Sequence, residues 1–338
     1  LRRRFVEGPD SVVAQWLKPP SALDGWRIDV ANMTGRLGDV DLNAEVRQLT
    51  RQTMIETNPD TILIAEITND ASGDLTGDGW HGAMTYPSFA RPLWAWLCEP
   101  TGEPYLIGDG QERTEPWFFG QPVGGIPRYD ARQFVGAVTR FTAGIPWRVR
   151  LGNMQTLDSH DTARFATHAP AEVIPLAVGL SMTLPGMPVL FAGDEFGLVG
   201  ADGEASRTPM PWGTESVPTV AARLDLYRQL IALRRQHPAL ATGGLRWVHV
   251  DQSAVVFVRE SAKESILVLA ATTDADITLP AAALLSADRA EELFGDAALK
   301  TAADGSVGIR TTGAMFAAWA LPGIAAPESR DGSGDGDA

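Results

Sequence analysis

The spacing of apolar positions changes once along this chain, near Gly243-Gly244. Before that point, runs with helical spacing alternate with short apolar segments. Val12, Val13, Trp16 and Leu17 predict a helix, and Pro19-Pro20 stops it. Asp24-Gly25-Trp26-Arg27-Ile28-Asp29-Val30-Ala31-Asn32 then reads as a strand running into a polar loop. Residues i and i+2 of a strand share a face, so Arg27 and Asp29 should point one way and Trp26, Ile28 and Val30 the other. A helix is predicted over residues 42–57, closed by Asn58-Pro59-Asp60. Thr61-Ile62-Leu63-Ile64-Ala65-Glu66 is nearly continuous in apolar residues, as a strand buried on both faces should be.

The alternation continues with a strand over residues 83–86 and a helix carrying Trp94 and Trp96. Residues 100–130 are rich in Gly, Pro and Glu and read as a long excursion loop. Phe134, Val138 and Phe141 mark a helix, residues 152–157 a strand, residues 171–183 a helix and residues 188–193 a strand. Val220, Leu224, Tyr227 and Ile231 mark an amphipathic helix that Leu226, Leu230 and Leu233 widen. Beyond Gly243-Gly244 the period becomes two. Short strands are predicted over residues 247–250, 254–258, 266–270, 276–279, 307–309 and 315–321, the pattern of a small all-β sandwich. The expected organisation is an α/β unit over residues 1–242, a sandwich over 243–325 and a disordered tail over 326–338. The βα alternation fits an open doubly wound sheet or part of a (β/α)8 barrel. In both, functional groups sit just beyond the carboxyl ends of the strands.

Composition narrows the function classes. The 338 residues are 44% hydrophobic and 21% charged, an ordinary globular balance. A net charge of -14 argues against nucleic acid and anionic membranes as partners. No apolar run reaches the roughly 18 residues of a membrane span. Cys98 is the only cysteine, so no internal disulfide can form. Neither Cys-His metal spacing nor a phosphate-binding Gly-Lys-Ser/Thr loop is present. The chain opens Leu1-Arg2-Arg3-Arg4, without Met or a signal peptide, and reads as the middle of a longer sequence; the default compartment is the cytoplasm.

The charged residues at the predicted strand ends are Arg27 and Asp29, then Glu66, then His160 and Asp161, then Asp194 and Glu195. Each alone has a bland reading as a structural ion pair or a satisfied core group. Together they bring acidic groups to the same end of one parallel sheet, and glycoside hydrolysis needs such carboxylates. One attacks the anomeric carbon, and another protonates the leaving oxygen and later activates water. Weaker candidates are Arg207, equally readable as a surface arginine, and Tyr86 and Trp80-His81, for which packing is preferred. Trp117-Phe118-Phe119 reads as a sugar platform or a cap.

The segment from Asp24 to Asn32 resembles the nucleophile signature of the α-amylase family, glycoside hydrolase family 13. The strand ending Ala65-Glu66-Ile67 resembles its acid/base segment, and Leu157-Asp158-Ser159-His160-Asp161-Thr162 its His-Asp signature. Gly186-Met187-Pro188-Val189-Leu190-Phe191-Ala192-Gly193-Asp194-Glu195 is similar to its eighth-strand segment. Asp29-Val30-Ala31-Asn32, Asn69-Asp70-Ala71-Ser72 and Ser206-Arg207-Thr208-Pro209-Met210-Pro211-Trp212 look like neopullulanases, cyclomaltodextrinases and related α-glucosidases. The resemblance implies Asp29 as nucleophile, Glu66 as acid/base and Asp161 as transition-state stabiliser. Arg27 would orient Asp29, and His160 and Arg207 would serve substrate binding. It implies retaining cleavage of α-1,4, and in some relatives α-1,6, bonds of maltooligosaccharides or related α-glucans.

The resemblance begins at the family's fourth barrel strand, so the implied fold is strands four to eight followed by the sandwich. The early signature that builds part of the sugar pocket, and a calcium site in many members, is absent from this chain. No cofactor is implied as required, and the usual calcium ligands would lie in the missing part. The missing strands leave two sources for completing the site, a homo-oligomer or an N-terminal half. Met33 stands where neopullulanase-type relatives often carry Glu, and Thr68-Asn69 replaces an aromatic-His pair. Both positions bear on bond preference. An α-glucosidase or glucosyltransferase acting on short sugars is one alternative, and a non-catalytic sugar-binding subunit is another.

Overall fold

The computed structural model describes residues 1–100 and 126–322, together with the backbone of residues 105–106 and 112–113. Trp117-Phe118-Phe119 and the tail from residue 326 lie outside the described residues. Five strands form a parallel sheet: β1 (Gly25–Ile28), β2 (Ile62–Ile67), β3 (Gly82–Thr85), β4 (Met154–Thr156) and β5 (Met187–Val189). They neighbour one another in chain order. A doubly wound sheet reverses its order at a switch point, and this one does not. It has the one-directional order of a barrel wall. The register pairs Arg27 with Ile64 and Glu66 with Met84, which sets both charged side chains near the carboxyl end of the sheet.

Helices α1 (Val12–Trp16), α2 (Asn43–Thr57), α3 (Arg91–Leu97), α4 (Ala131–Thr142), α5 (Ile174–Thr183) and α6 (Pro218–Gln236) fill the connections. Their starts follow local chemistry. The Ser11 hydroxyl accepts from the Ala14 N–H at 3.3 Å, and Asp130 and Gln133 form a capping box on α4. On α6 the buried positions are Tyr227, Leu230 and Leu233, whereas Val220, Leu224 and Ile231 are only half-buried. The apolar stripe therefore centres one residue away from the pattern read in the sequence. Helix α5 is buried all round from Leu176 to Thr183, because it lies between two sheets.

Two expected strands are shorter than read. The run at residues 188–193 is strand only over Met187–Val189, and a left-handed Gly193 (φ 108°) turns the chain into a short 3-10 turn at Asp194–Phe196. The strand carrying Arg27 ends at Ile28, so the face alternation expected to reach Val30 stops there.

The C-terminal strands are β6 (Gly244–Val250), β7 (Ala254–Glu260), β8 (Glu264–Ala271), β9 (Ala275–Leu279), β10 (Glu291–Phe294), β11 (Ala298–Thr301), β12 (Val307–Thr311) and β13 (Met315–Pro322). They form a five-stranded sheet in the order β6-β7-β8-β13-β10 and a three-stranded sheet β9-β12-β11. Strands β10 and β11 were not legible in sequence, being short and largely exposed. Alternate residues of β7, β8 and β13 face opposite cores. Val256, Leu267, Leu269 and Trp319 pack toward the small sheet. Phe257, Ile266, Val268 and Phe316 pack with Leu176 and Leu180 of α5. At that second contact a Cβ built on Gly179 would lie 2.4 Å from ring carbons of Phe316. The ring rests on helix backbone, and only glycine leaves room for it.

Candidate active site

Asp29 follows the last residue of β1, and Val30 after it turns left-handed (φ 45°). That conformation is sparsely populated for a β-branched residue and stores on the order of 1–3 kcal/mol. The turn lets Asp29 stand out at the sheet edge, its side chain 73% exposed. It also aims the Val30 N–H back at Glu66, whose Oε2 accepts it at 2.7 Å. Glu66, near the end of β2, is buried. Arg27 joins the two carboxylates: its Nη1 donates to Asp29 Oδ1 at 2.9 Å, and its Nη2 lies 3.2 Å from Glu66 Oε1.

The loop after β4 supplies the other side. His160 Nε2 lies 3.3 Å from Asp161 Oδ2. Arg207 Nη2 lies 3.4 Å from Asp161 Oδ1, and Arg207 Nε donates to the His160 carbonyl at 2.8 Å. Asp29, Val30, Asn32, Glu66, Thr68, His160 and Asp161 line one open cleft of about 340 Å³. Asp29, Glu66, His160 and Asp161, all singled out from the sequence, thus line a single hollow, and Arg27 and Arg207 contact its carboxylates. Tyr86 is buried beneath it, its hydroxyl 2.8 Å from Ser159 Oγ, and burial pushes its phenol up to about 12. Trp80 is buried, and His81 Nδ1 accepts from the Leu63 N–H at 2.9 Å. Glu195 Oε2 accepts from the Gly193 N–H at 2.8 Å, a loop-holding role. Among the described residues no group of three or more His, Cys, Asp or Glu is placed to hold a metal ion, and no helix is long and apolar enough to cross a membrane.

Sequence reasoning passed over the support beneath the Asp161 loop. Arg164, 1% exposed, donates to Asp194 Oδ1 at 2.7 Å and to the carbonyls of Ala192 (2.8 Å) and Ser206 (3.0 Å). Asp158 accepts from the Phe165 N–H at 2.6 Å through Oδ2, while its buried Oδ1 receives no hydrogen bond. Burial, then the neighbouring Asp194, hold the Asp158 carboxyl well above the ordinary range; burial also raises Asp194. Arg164 pairs directly with Asp194 and favours its charged form, which offsets burial at Asp194 more than at Asp158. A spacing signal existed, since Arg164 follows Asp161 by three residues, but nothing marked it as buried.

A folded-state carboxyl raised above its unfolded value binds its proton more tightly when folded. Its contribution is full below the ordinary value of 3.8 and is lost as pH rises toward the raised value. Asp158→Asn mimics the protonated form. The variant is expected to match the parent near about pH 4 and to be the more stable of the two at about pH 8. Urea denaturation at both pH values checks this; a variant less stable at the higher pH would place an ionised carboxylate at Asp158.

No family model matches the chain. Among curated proteins, Neopullulanase 2 of Thermoactinomyces vulgaris is 31% identical over 244 residues, 72% of this chain and 35% of that protein. A cyclomaltodextrinase from a Bacillus species is 28% identical over 268 residues, 78% of this chain and 41% of its own length. The chain thus spans well under half of these relatives. Among solved structures, the native debranching enzyme of Nostoc punctiforme superposes with a TM-score of 0.74 at 24% identity, over 91% of this chain and 60% of that one. A cyclomaltodextrinase structure superposes with a TM-score of 0.69 at 25% identity, over 91% of this chain and 47% of that one. A one-directional parallel β/α sheet with carboxylates at its carboxyl end is the arrangement of a (β/α)8 barrel wall and its site. The chain belongs to the α-amylase family of glycoside hydrolases.

Proposed function

We propose that this chain carries the catalytic carboxylates of a retaining α-glucan hydrolase, and that β1 to β5 correspond to strands four to eight of the family barrel. The observation that supports this most is the single guanidinium of Arg27 bridging Asp29 and Glu66, with Asp161 lining the same cleft. Retention requires the two principal carboxyl groups about 5–5.5 Å apart, and a shared cation favours such closeness by offsetting their repulsion.

In this reading Asp29, exposed to the cleft and oriented by Arg27, attacks the anomeric carbon of a maltooligosaccharide. The glycosidic C–O bond breaks while Glu66 delivers a proton to the leaving oxygen, leaving a glycosyl ester on Asp29. Glu66 then takes a proton from water, which attacks the anomeric carbon, breaks its bond to the Asp29 carboxylate and releases the sugar with its original configuration. Asp161 accepts hydrogen bonds from sugar hydroxyls that tighten in the transition state. His160 binds the same sugar, and Arg207 braces Asp161. The bonds proposed are α-1,4, with α-1,6 bonds within reach of the same chemistry. The test is proton NMR of the first product formed from maltotriose, with parallel digests of pullulan and a cyclodextrin. The expected first product is the α-anomer; a β-anomer would overturn the double displacement.

A further inference from the structure

We propose that Arg36, held by Asp74, is a positioning residue for Glu66: the pair and Asn43 fix the left-handed turn whose Val30 N–H is donated to the Glu66 carboxylate. The inference rests on Glu66 as acid/base.

The turn is not held by its own side chain, since Val30 is 41% exposed. A strained backbone persists only where its surroundings over-determine it, and each following carbonyl here has a donor. The Asn43 amide donates to the carbonyls of Ala31 and Thr34, both at 2.8 Å. Arg36 Nη1 donates to the Asn32 carbonyl at 2.7 Å. The same guanidinium grips Asp74 in a two-pronged pair, Nη1 to Oδ2 at 3.1 Å and Nη2 to Oδ1 at 3.0 Å. Asp74 belongs to the loop after β2, so the pair ties the loop that follows Asp29 to the loop that follows Glu66. Arg47 Nη1, 3.5 Å from Asp74 and 3.2 Å from Asn43 Oδ1, joins the two anchors. The far end of the network is the cleft, which Val30, Asn32 and Glu66 all line.

A purely structural role is the rival. Arg36 also pairs with Asp41 at 3.0 Å across the short ribbon Arg36–Leu37 and Val40–Asp41, and in that rival it serves the ribbon alone. Three variants of the 338-residue chain separate the roles: Arg36→Met, Asp74→Asn and, as the ribbon control, Asp41→Asn. Two readouts are taken on each, amide hydrogen exchange at Val30 and Ala31 and the kcat and KM for maltotriose. The expected result is exchange at Val30 and Ala31 faster by about tenfold or more in Arg36→Met and Asp74→Asn, with β8 amides unchanged. With it, kcat falls roughly 10- to 100-fold at nearly constant KM, the mark of a misplaced reacting group. The Asp41→Asn control leaves both readouts near the parent. Unchanged Val30 exchange in folded Asp74→Asn protein overturns the proposal. Should the parent hydrolyse nothing, the chain is not self-sufficient for turnover, and the exchange data alone decide whether Arg36 holds the turn. If Arg36→Met does not fold, Asp74→Asn carries the test.

Discussion

Asparagine in place of Asp29 is expected to abolish hydrolysis of maltotriose while leaving the protein folded. The expected fall in rate is roughly 10⁴-fold or more, since an amide cannot form the glycosyl ester on which the second step depends. Stability should hardly move. The Asp29 side chain is 73% exposed, and its pair with Arg27 is worth about 0–1 kcal/mol in that setting. This separation of activity from stability gives the experiment its force. Reducing-sugar release and thermal melting are measured side by side on parent and variant. A variant that keeps its rate removes Asp29 from the nucleophile role. If the folded parent is also silent, the chain is not self-sufficient for turnover, and titration calorimetry with maltotriose then tests whether the cleft still binds sugar.

The second large effect is structural and lies under the site. Arg164→Met should destabilise the chain by roughly 3–5 kcal/mol, because it leaves Asp194 as an uncompensated buried charge beside Asp158. Methionine keeps much of the packing against the Phe191 ring, which lies 3.9 Å from the guanidinium carbon, so charge loss dominates volume loss. Freeing the Ser206 carbonyl should also loosen the adjoining Arg207 and its contact with Asp161. Adding Asp194→Asn to Arg164→Met removes the stranded charge and is expected to recover part of the lost stability. Denaturant midpoints of the two variants check the order; no recovery in the double variant would assign the loss to the carbonyls that Arg164 satisfies rather than to the charge.

The parallel sheet and the residues of the cleft were legible because both depend on local patterning. Apolar runs such as Ile62 to Ile67 declare a doubly buried strand, and charged residues at their ends declare where the cleft opens. What the sequence hid was set by three-dimensional neighbours. Strand β1 was expected to carry Asp29 and Val30, yet the chain leaves the sheet at Ile28, since the strained turn is stabilised by Asn43 and Arg36 well downstream. Arg164 looked like any arginine, because its burial depends on carbonyls at Ala192 and Ser206. Strands β10 and β11 escaped notice since their faces are mostly solvated and show little alternation. The choice between a doubly wound sheet and a barrel wall turned on strand order, which no local pattern encodes.

The seat of Phe316 on Gly179 also has a genealogical reading. Any side chain at 179 collides with the ring, and any shrinkage of the ring opens a void against the helix. Each change is costly by itself, so the two sites should substitute jointly or not at all. Among homologous chains, a larger residue at 179 should travel with a smaller one at 316, and the helix and the strand that meet there should be inherited as one unit.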